Sequence, residues 1–392
     1  RNFSQETIDE FLLGFSPDSF EATRLELNHL GYSNDVLLDA GLIVRKDDGS
    51  AVWDRFRGRA MFPIQNMTGK VIGFGARLME DDKTKAKYVN SPQTIIYDKS
   101  SSLYGIWQAK GHIRAERTAI LVEGYADVLT MHSAGFKNTV ASSGTALTEK
   151  QLEAIARLAT KLYVVYDADT AGIKAADRAI ELALPHGFDV RIVQLPAGDD
   201  PDSLIRDHGE KVFRSYLDKA VNFLDFKLSL IKSSGGMDSP AERAATAREI
   251  MHLISKIPDR LQHDDFIARL GNLLNYSEMQ LKKLYEEKQQ YERTEARRAR
   301  PEPNYAKTNT APLPPSAPPP PDGYDDDAPP PPDEDFPPIE GEGAAPAAEP
   351  VPAEKRTVRS LHESLLAEER LLLHIAMSED NAIDMMKKKF KL

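Results

Sequence analysis

Between residues 118 and 204 the chain alternates short apolar runs with stretches of helical spacing. Strands are expected at 119–122, 139–141, 162–166 and 190–195, and helices starting near Ala126, Thr148 and Ala171. This alternation leaves few options: a parallel sheet with helices packed on its faces, since parallel neighbours need a crossover and a helix is the usual one. In such sheets ligands bind outside the carboxyl ends of the strands. Acidic residues stand at three of those ends. Glu123 follows the first strand, with Asp127 one helical turn later; Asp167-Ala168-Asp169 follows the third, just before Thr170-Ala171-Gly172; Asp199-Asp200-Pro201-Asp202 follows the last. Five or six carboxylates on one edge repel each other unless divalent cations neutralise them. Hard oxygen donors of this kind suit Mg²⁺ or Mn²⁺, with two or more ions expected, held by Glu123, Asp167, Asp169, Asp200 and Asp202.

The segments around this α/β unit differ from it. Residues 1–45 read as short helices, with Ser4-Gln5-Glu6-Thr7 as a capped start. From 53 to 104 the pattern is that of strands and turns, including a hairpin through Met67-Thr68-Gly69-Lys70. The formal net charge is −11, but ten acidic residues lie between Asp322 and Glu349 with no basic residue among them. The remainder is near neutral, and from Asp54 to Arg117 twelve Lys and Arg face six Asp and Glu. That basic segment is suited to a polyanion. Within it, Arg55, Arg57 and Arg59 alternate as neighbours on a strand do and are expected to share a face, and Tyr88 and Phe56 are expected to pack in a core before stacking on bases.

Residues 205–298 read as helical. Between 301 and 352 lie 18 of the 26 prolines, and such a composition cannot bury enough apolar area to offset its ordering entropy. A last amphipathic pattern runs through Leu361, Leu365, Leu366, Leu372, Leu373 and Ile375. The absence of cysteine excludes disulfides and thiolate zinc sites within this chain and suits a reducing compartment. No apolar run approaches a membrane span and no secretory leader is seen, so the chain reads as soluble and cytoplasmic; its two ends read as cuts through a longer protein.

Glu123-Gly124 after a strand, followed by Asp167-Ala168-Asp169 after another, resembles the TOPRIM domain shared by primases and topoisomerases. The flanks narrow this. Arg55-Phe56-Arg57-Gly58-Arg59, then Gly69 to Arg77, then Lys87-Tyr88-Val89-Asn90 and Lys99 to Gly105 resemble the basic subdomain that precedes TOPRIM in bacterial DnaG-type primases. The resemblance implies an α/β fold (α+β overall) in five parts: a basic N-terminal subdomain at 1–117, TOPRIM at 118–204, a helical subdomain at 205–298, a Pro-rich acidic linker at 299–356 and the start of a helicase-binding domain at 357–392. It implies synthesis of short RNA primers from NTPs on a single-stranded DNA template. Glu123, Asp127, Asp167 and Asp169 would be catalytic, and Arg55, Arg57, Arg59, Arg77, Lys87, Tyr88, Asn90 and Lys99 would contact nucleotide or DNA. Glu123 is open to two roles, metal ligand or general base. The family's zinc-binding domain is not expected in this chain, and its docking on the replicative helicase is expected only of the intact protein. A TOPRIM scaffold without polymerase activity and a TOPRIM nuclease are the competing classes.

Overall fold

The computed structural model describes residues 3–80, 82, 84–144 and 146–286. The linker and the final amphipathic pattern expected from the sequence lie outside these residues. The N-terminal part begins with helix α1 (Gln5–Glu10), whose N-cap Ser4 accepts the Thr7 N–H as its sequence suggests. Strand β1 (Gly14–Ser16) and helices α2 (Ala22–His29) and α3 (Asn34–Asp39) follow, then a hairpin of β2 (Ile43–Arg45) and β3 (Val52–Asp54). Strands β4 (Arg59–Gln65), β5 (Val71–Leu78) and β6 (Tyr88–Asn90) join β1 in an antiparallel sheet of order β1-β4-β5-β6. Asn66 shapes the β4–β5 turn: its side-chain oxygen accepts the N–H groups of Thr68 and Lys70.

Alternation along these strands gives the sheet two faces. One packs Met61, Phe74 and Ala76 against α2, α3 and the small hairpin around Leu27, Leu37 and Phe56. The other carries Phe62 and Ile64 toward the second half of the protein. Phe62 stacks on Tyr125 at 5.1 Å, and Tyr104 meets Tyr125 edge-on at 4.8 Å. Gly75 permits this approach, since a Cβ there would lie 2.2 Å from the Tyr125 ring.

Helix α4 (Ile106–Glu116) leads into the central sheet: β7 (Thr118–Val122), α5 (Tyr125–Ser133), β8 (Thr139–Ala141), α6 (Glu149–Ala156), β9 (Lys161–Val164), α7 (Thr170–Ala183) and β10 (Asp189–Ile192). The order is β11-β10-β9-β7-β8, parallel from β10 to β8, with β11 (Val221–Asn222) as an antiparallel edge. Ala119, Leu121, Leu162 and Val164 face one side with α4, α6 and α7; Ile120, Val122 and Val165 face the other with α5. Helices therefore cover both faces, as the sequence pattern requires.

The sheet unit runs past residue 204. Helix α8 (Pro201–His208) spans that position, α9 (Glu210–Asp218) sends Phe213 into the same core as α5, and β11 closes the sheet. Helices α10 (Phe223–Ser233), α11 (Pro240–Ser255) and α12 (Arg260–Leu274) contribute Phe223, Ile250, Ile254, Ile267 and Leu270 to the core on the other face. The helical region thus shares a hydrophobic core with the sheet. No described helix is long and apolar enough to cross a membrane.

Candidate active site

The chain leaves β7 toward β8 on one side and returns to β9 on the other, so the strand order reverses between the carboxyl ends of β7 and β9. A crevice is expected at such a reversal. Glu123 lies one residue past β7 and Asp167 three past β9, and the Asp167 N–H donates to Glu123 Oε1 at 3.3 Å. The acidic residues around them are fixed by helix starts. Asp127 accepts the Gly124 N–H at 3.0 Å, Asp169 caps α7 through the Gly172 N–H at 2.7 Å, and Asp200 caps α8 through the Ser203 N–H at 2.6 Å. Gly172 is required here: a Cβ would lie 2.1 Å from the Asp167 carbonyl oxygen.

Electrostatics mark the edge as strained. Asp127, buried, is pushed up to about 8 by desolvation and then by the charges of Asp200 and Asp167, against the Gly124 N–H. Asp167 rises to about 6 through burial and then the charges of Glu123, Asp200 and Asp169. Glu123 is also raised, first by burial, with Asp169 adding to it and the Asp167 N–H opposing. A concentration of all-oxygen donors whose ionised forms repel one another fits a hard divalent cation. Among the described residues no three of these groups are already closed around one point. Asp202 differs from the others: it is buried, and its two oxygens accept from Thr130 Oγ1 at 2.5 Å and Arg206 at 3.0 Å. It ties α8 to α5, and its charge also acts on Asp127.

Glu123, Asp127, Asp167 and Asp200 line one open cleft of about 630 Å³. Lys87, Tyr88 and Asn90 form part of its opposite wall. Asn90 bridges the two halves of the protein, donating to the Ser143 carbonyl at 3.1 Å and accepting from the Tyr125 hydroxyl at 2.9 Å. Tyr88 corrects one expectation. Phe56 is buried in the core, but the Tyr88 ring is 37% exposed at the cleft, 6.1 Å from Tyr125 and nearly parallel to it. Arg77 pairs directly with Tyr88 across the β5–β6 ladder and so shares its face.

The remaining basic candidates lie elsewhere. Arg55, Arg57 and Arg59 do not share a strand face, because the chain turns through Gly58 at φ 60° and only Arg59 belongs to β4. Arg55 donates to the Gly41 carbonyl at 2.8 Å, Arg57 sits 4.0 Å over the Phe20 ring, and buried Arg59 donates to the Lys87 carbonyl from the sheet's other face. Lys99 is held by its backbone to Gln93 and Gln151 and is outside the cleft lining.

Sequence reasoning missed the third side of the cleft: the loop Ser142-Ser143-Gly144 after β8, and Lys174 and Arg178 on α7. The loop carries only small residues and gave no signal. The two cations were legible in principle, because a helix starting at Thr170 puts positions 174 and 178 one turn apart on one side.

A Toprim-type sheet with its acidic edge open to a basic partner subdomain defines a class of proteins that work on nucleic acid with divalent cations. The comparisons with known proteins agree. Residues 1–110 match the family described as the DNA primase catalytic core, N-terminal domain; 120–205 match a Toprim-like family; and 224–278 match the DnaB-helicase binding domain of primase. The last match falls on α10–α12, not on the region from 357 expected to bind a helicase. The DNA primase of Clostridium acetobutylicum is 36% identical over 273 residues, 69% of this chain and 45% of that protein. The crystal structure of a DNA primase domain from Pseudomonas aeruginosa superposes with a TM-score of 0.66 at 35% identity, covering 72% of this chain and 89% of that one. A DnaG primase catalytic domain bound to ssDNA gives 0.65 at 34% identity, covering 71% and 87%. This chain belongs to the DnaG-type primase family. It spans about half the length of the curated relatives it matches.

Proposed function

We propose that the chain is the RNA-synthesising core of a bacterial replicative primase, joining ribonucleotides from NTPs on a single-stranded DNA template. The observation that carries this reading is the single cleft that sets the carboxylate edge opposite Lys87, Tyr88 and Asn90. Anionic substrate has a lysine cation and an aromatic ring on one wall and a divalent-cation donor set on the other.

Glu123, Asp167, Asp169 and Asp200 would hold Mg²⁺ or Mn²⁺. When bound, the cation supplies charge neutralisation at the phosphates and acidifies an attacking hydroxyl. The protein's own groups do the rest. Lys87 attracts phosphate as a point charge, and Tyr88 offers a ring face for a base. Asn90 and Tyr125 fix the wall relative to the edge. Asp127 holds the Gly124 turn, and so the direction of Glu123, through its bond to the Gly124 N–H. Arg77, beside Tyr88, extends the basic wall. Arg55 and Arg57 would meet the template farther out on the N-terminal subdomain, while Arg59 and Asp202 act by holding neighbours. The match over 224–278 supports a replicative helicase as partner, and the family's role supports a cytoplasmic location.

Template-directed incorporation of labelled NTPs with Mg²⁺ tests the reading. The parent chain should make short RNA, and Asp167→Asn and Asp169→Asn should lower the rate by about 10² or more while leaving DNA binding in place. DNA binding without incorporation by the parent would refute it.

A further inference from the structure

Lys174 and Arg178 are exposed, one turn apart on α7, and line the cleft. Among the described residues neither makes an ion pair or hydrogen bond. Nearby cations are neutralised: Lys227 holds Asp177 at 2.6 Å and Glu249 at 3.0 Å, and Arg191 holds Asp189 at 2.9 Å. Two like charges spaced i,i+4 weaken a helix; the carboxylates three residues on from each, Asp177 and Glu181, form no ion pair with them, and Asp177 is held by Lys227. An unpaired cationic pair on the wall of a substrate cleft is a seat for an anion.

The position of the pair selects which anion. Helix α7 starts at the carboxylate edge, with Asp169 as its cap. At about 1.5 Å per residue, Lys174 and Arg178 stand roughly 7 and 13 Å along the axis from that cap. Both positions stand farther along the helix than the phosphates reacting at its start, so the pair is placed for an anionic group deeper in the same cleft. A strand begun without a primer requires two nucleoside triphosphates in one cleft. In the first bond, the 3′-oxygen of the initiating nucleotide bonds to the α-phosphorus of the second. The bond from that phosphorus to the bridging oxygen breaks, pyrophosphate leaves and the hydroxyl proton passes to solvent. The initiating nucleotide keeps its own triphosphate, and with its 3′-hydroxyl at the edge its 5′ end points away from it.

We propose that Lys174 and Arg178 hold the 5′-triphosphate of the initiating nucleotide, an inference that rests on the primer-synthesis reading. The pair acts in starting a chain, and Lys87 lies on the other wall for the incoming nucleotide.

The test compares two starts on one template with the full chain: an initiating nucleotide offered as tri- or monophosphate, and a dinucleotide carrying a 5′-monophosphate. Lys174→Ala and Arg178→Ala lie on an exposed helix side, where alanine favours the helix. Each should reduce the preference for a triphosphate start by about tenfold, the double variant by more, and Arg178→Lys should recover part of it. The ratio of NTP-started to dinucleotide-started product should fall in step. A double variant that keeps the triphosphate preference overturns the assignment. So do equal losses from both starts, which would give the pair to the template or to the incoming nucleotide. If the parent chain extends neither start, the primer-synthesis reading itself fails.

Discussion

Gly172→Ala probes the link between backbone packing and the acidic edge. The added Cβ would sit 2.1 Å from the Asp167 carbonyl oxygen and 2.9 and 3.0 Å from its carbonyl carbon and amide nitrogen. These are backbone atoms, so no side-chain rotation relieves the contact, and the Asp167 peptide or the first turn of α7 must move by about 1 Å. Overpacking of this kind costs about 1–3 kcal/mol, and the better helix propensity of alanine returns at most about 1 kcal/mol. A net loss of about 1–2 kcal/mol lowers Tm by a few degrees in a domain of this size. The effect on chemistry should be larger, because a 1 Å misplacement of a reacting group costs about 10² in rate. Thermal unfolding and NTP incorporation should be measured on the same preparation, with incorporation falling out of proportion to stability. Wild-type Tm together with wild-type incorporation would refute the close approach as the device that sets Asp167.

Gly111→Ala is the counterpart: on α4 nothing lies within 4 Å of the added Cβ, so urea unfolding should show a gain of about 0.5–1 kcal/mol with incorporation unchanged. Buried His132 is lowered from 6.5 to about 4, mainly by desolvation, while bonded to the Thr139 carbonyl. The unfolded chain takes up its proton first as pH falls, so up to about 3 kcal/mol of stability should be lost between pH 6.5 and 4, and His132→Gln should flatten denaturation curves in that window. In EDTA near pH 7.5, Asp167→Asn should raise stability by about 1 kcal/mol after allowance for solvent screening, by removing one of the repelling charges around Glu123 and Asp200, and Mg²⁺ should stabilise it less than the parent. Lower Tm in EDTA would contradict the repulsion.

The sheet was legible because β7 to β10 are short apolar runs separated by helical spacing, and sequence expectation and structure differ mainly in where strands end. The 162–166 run loses two residues from the strand: β9 ends at Val164, Val165 makes a last bond to the Leu121 carbonyl, and Tyr166 leads into the acidic turn. A local rule located the cap at Ser4 and the helix start at Thr148, both of which accept an N–H three residues on; that Asp169 and Asp200 also cap helices emerged only from the structure. What local rules could not supply was the direction of side chains across the molecule. The turn at Gly58 separates three arginines that read as one strand face, and Tyr88, on a three-residue edge strand, is turned to the cleft by its pairing with Arg77. Asp202 reads like its acidic neighbours and is distinguished only by Thr130 and Arg206, one of them 72 residues away. The cleft's third wall joins β8's loop to α7, a juxtaposition set by sheet order.

The edge formed by Glu123, Asp167, Asp169 and Asp200 is the proposed seat of the divalent cations on which primer synthesis depends. Anomalous scattering from crystals soaked in Mn²⁺ tests it most directly. Manganese peaks bounded by these four carboxylates, and lost in Asp167→Asn crystals, are expected; manganese bound elsewhere with that edge empty, in a protein active with Mn²⁺, would overturn the assignment.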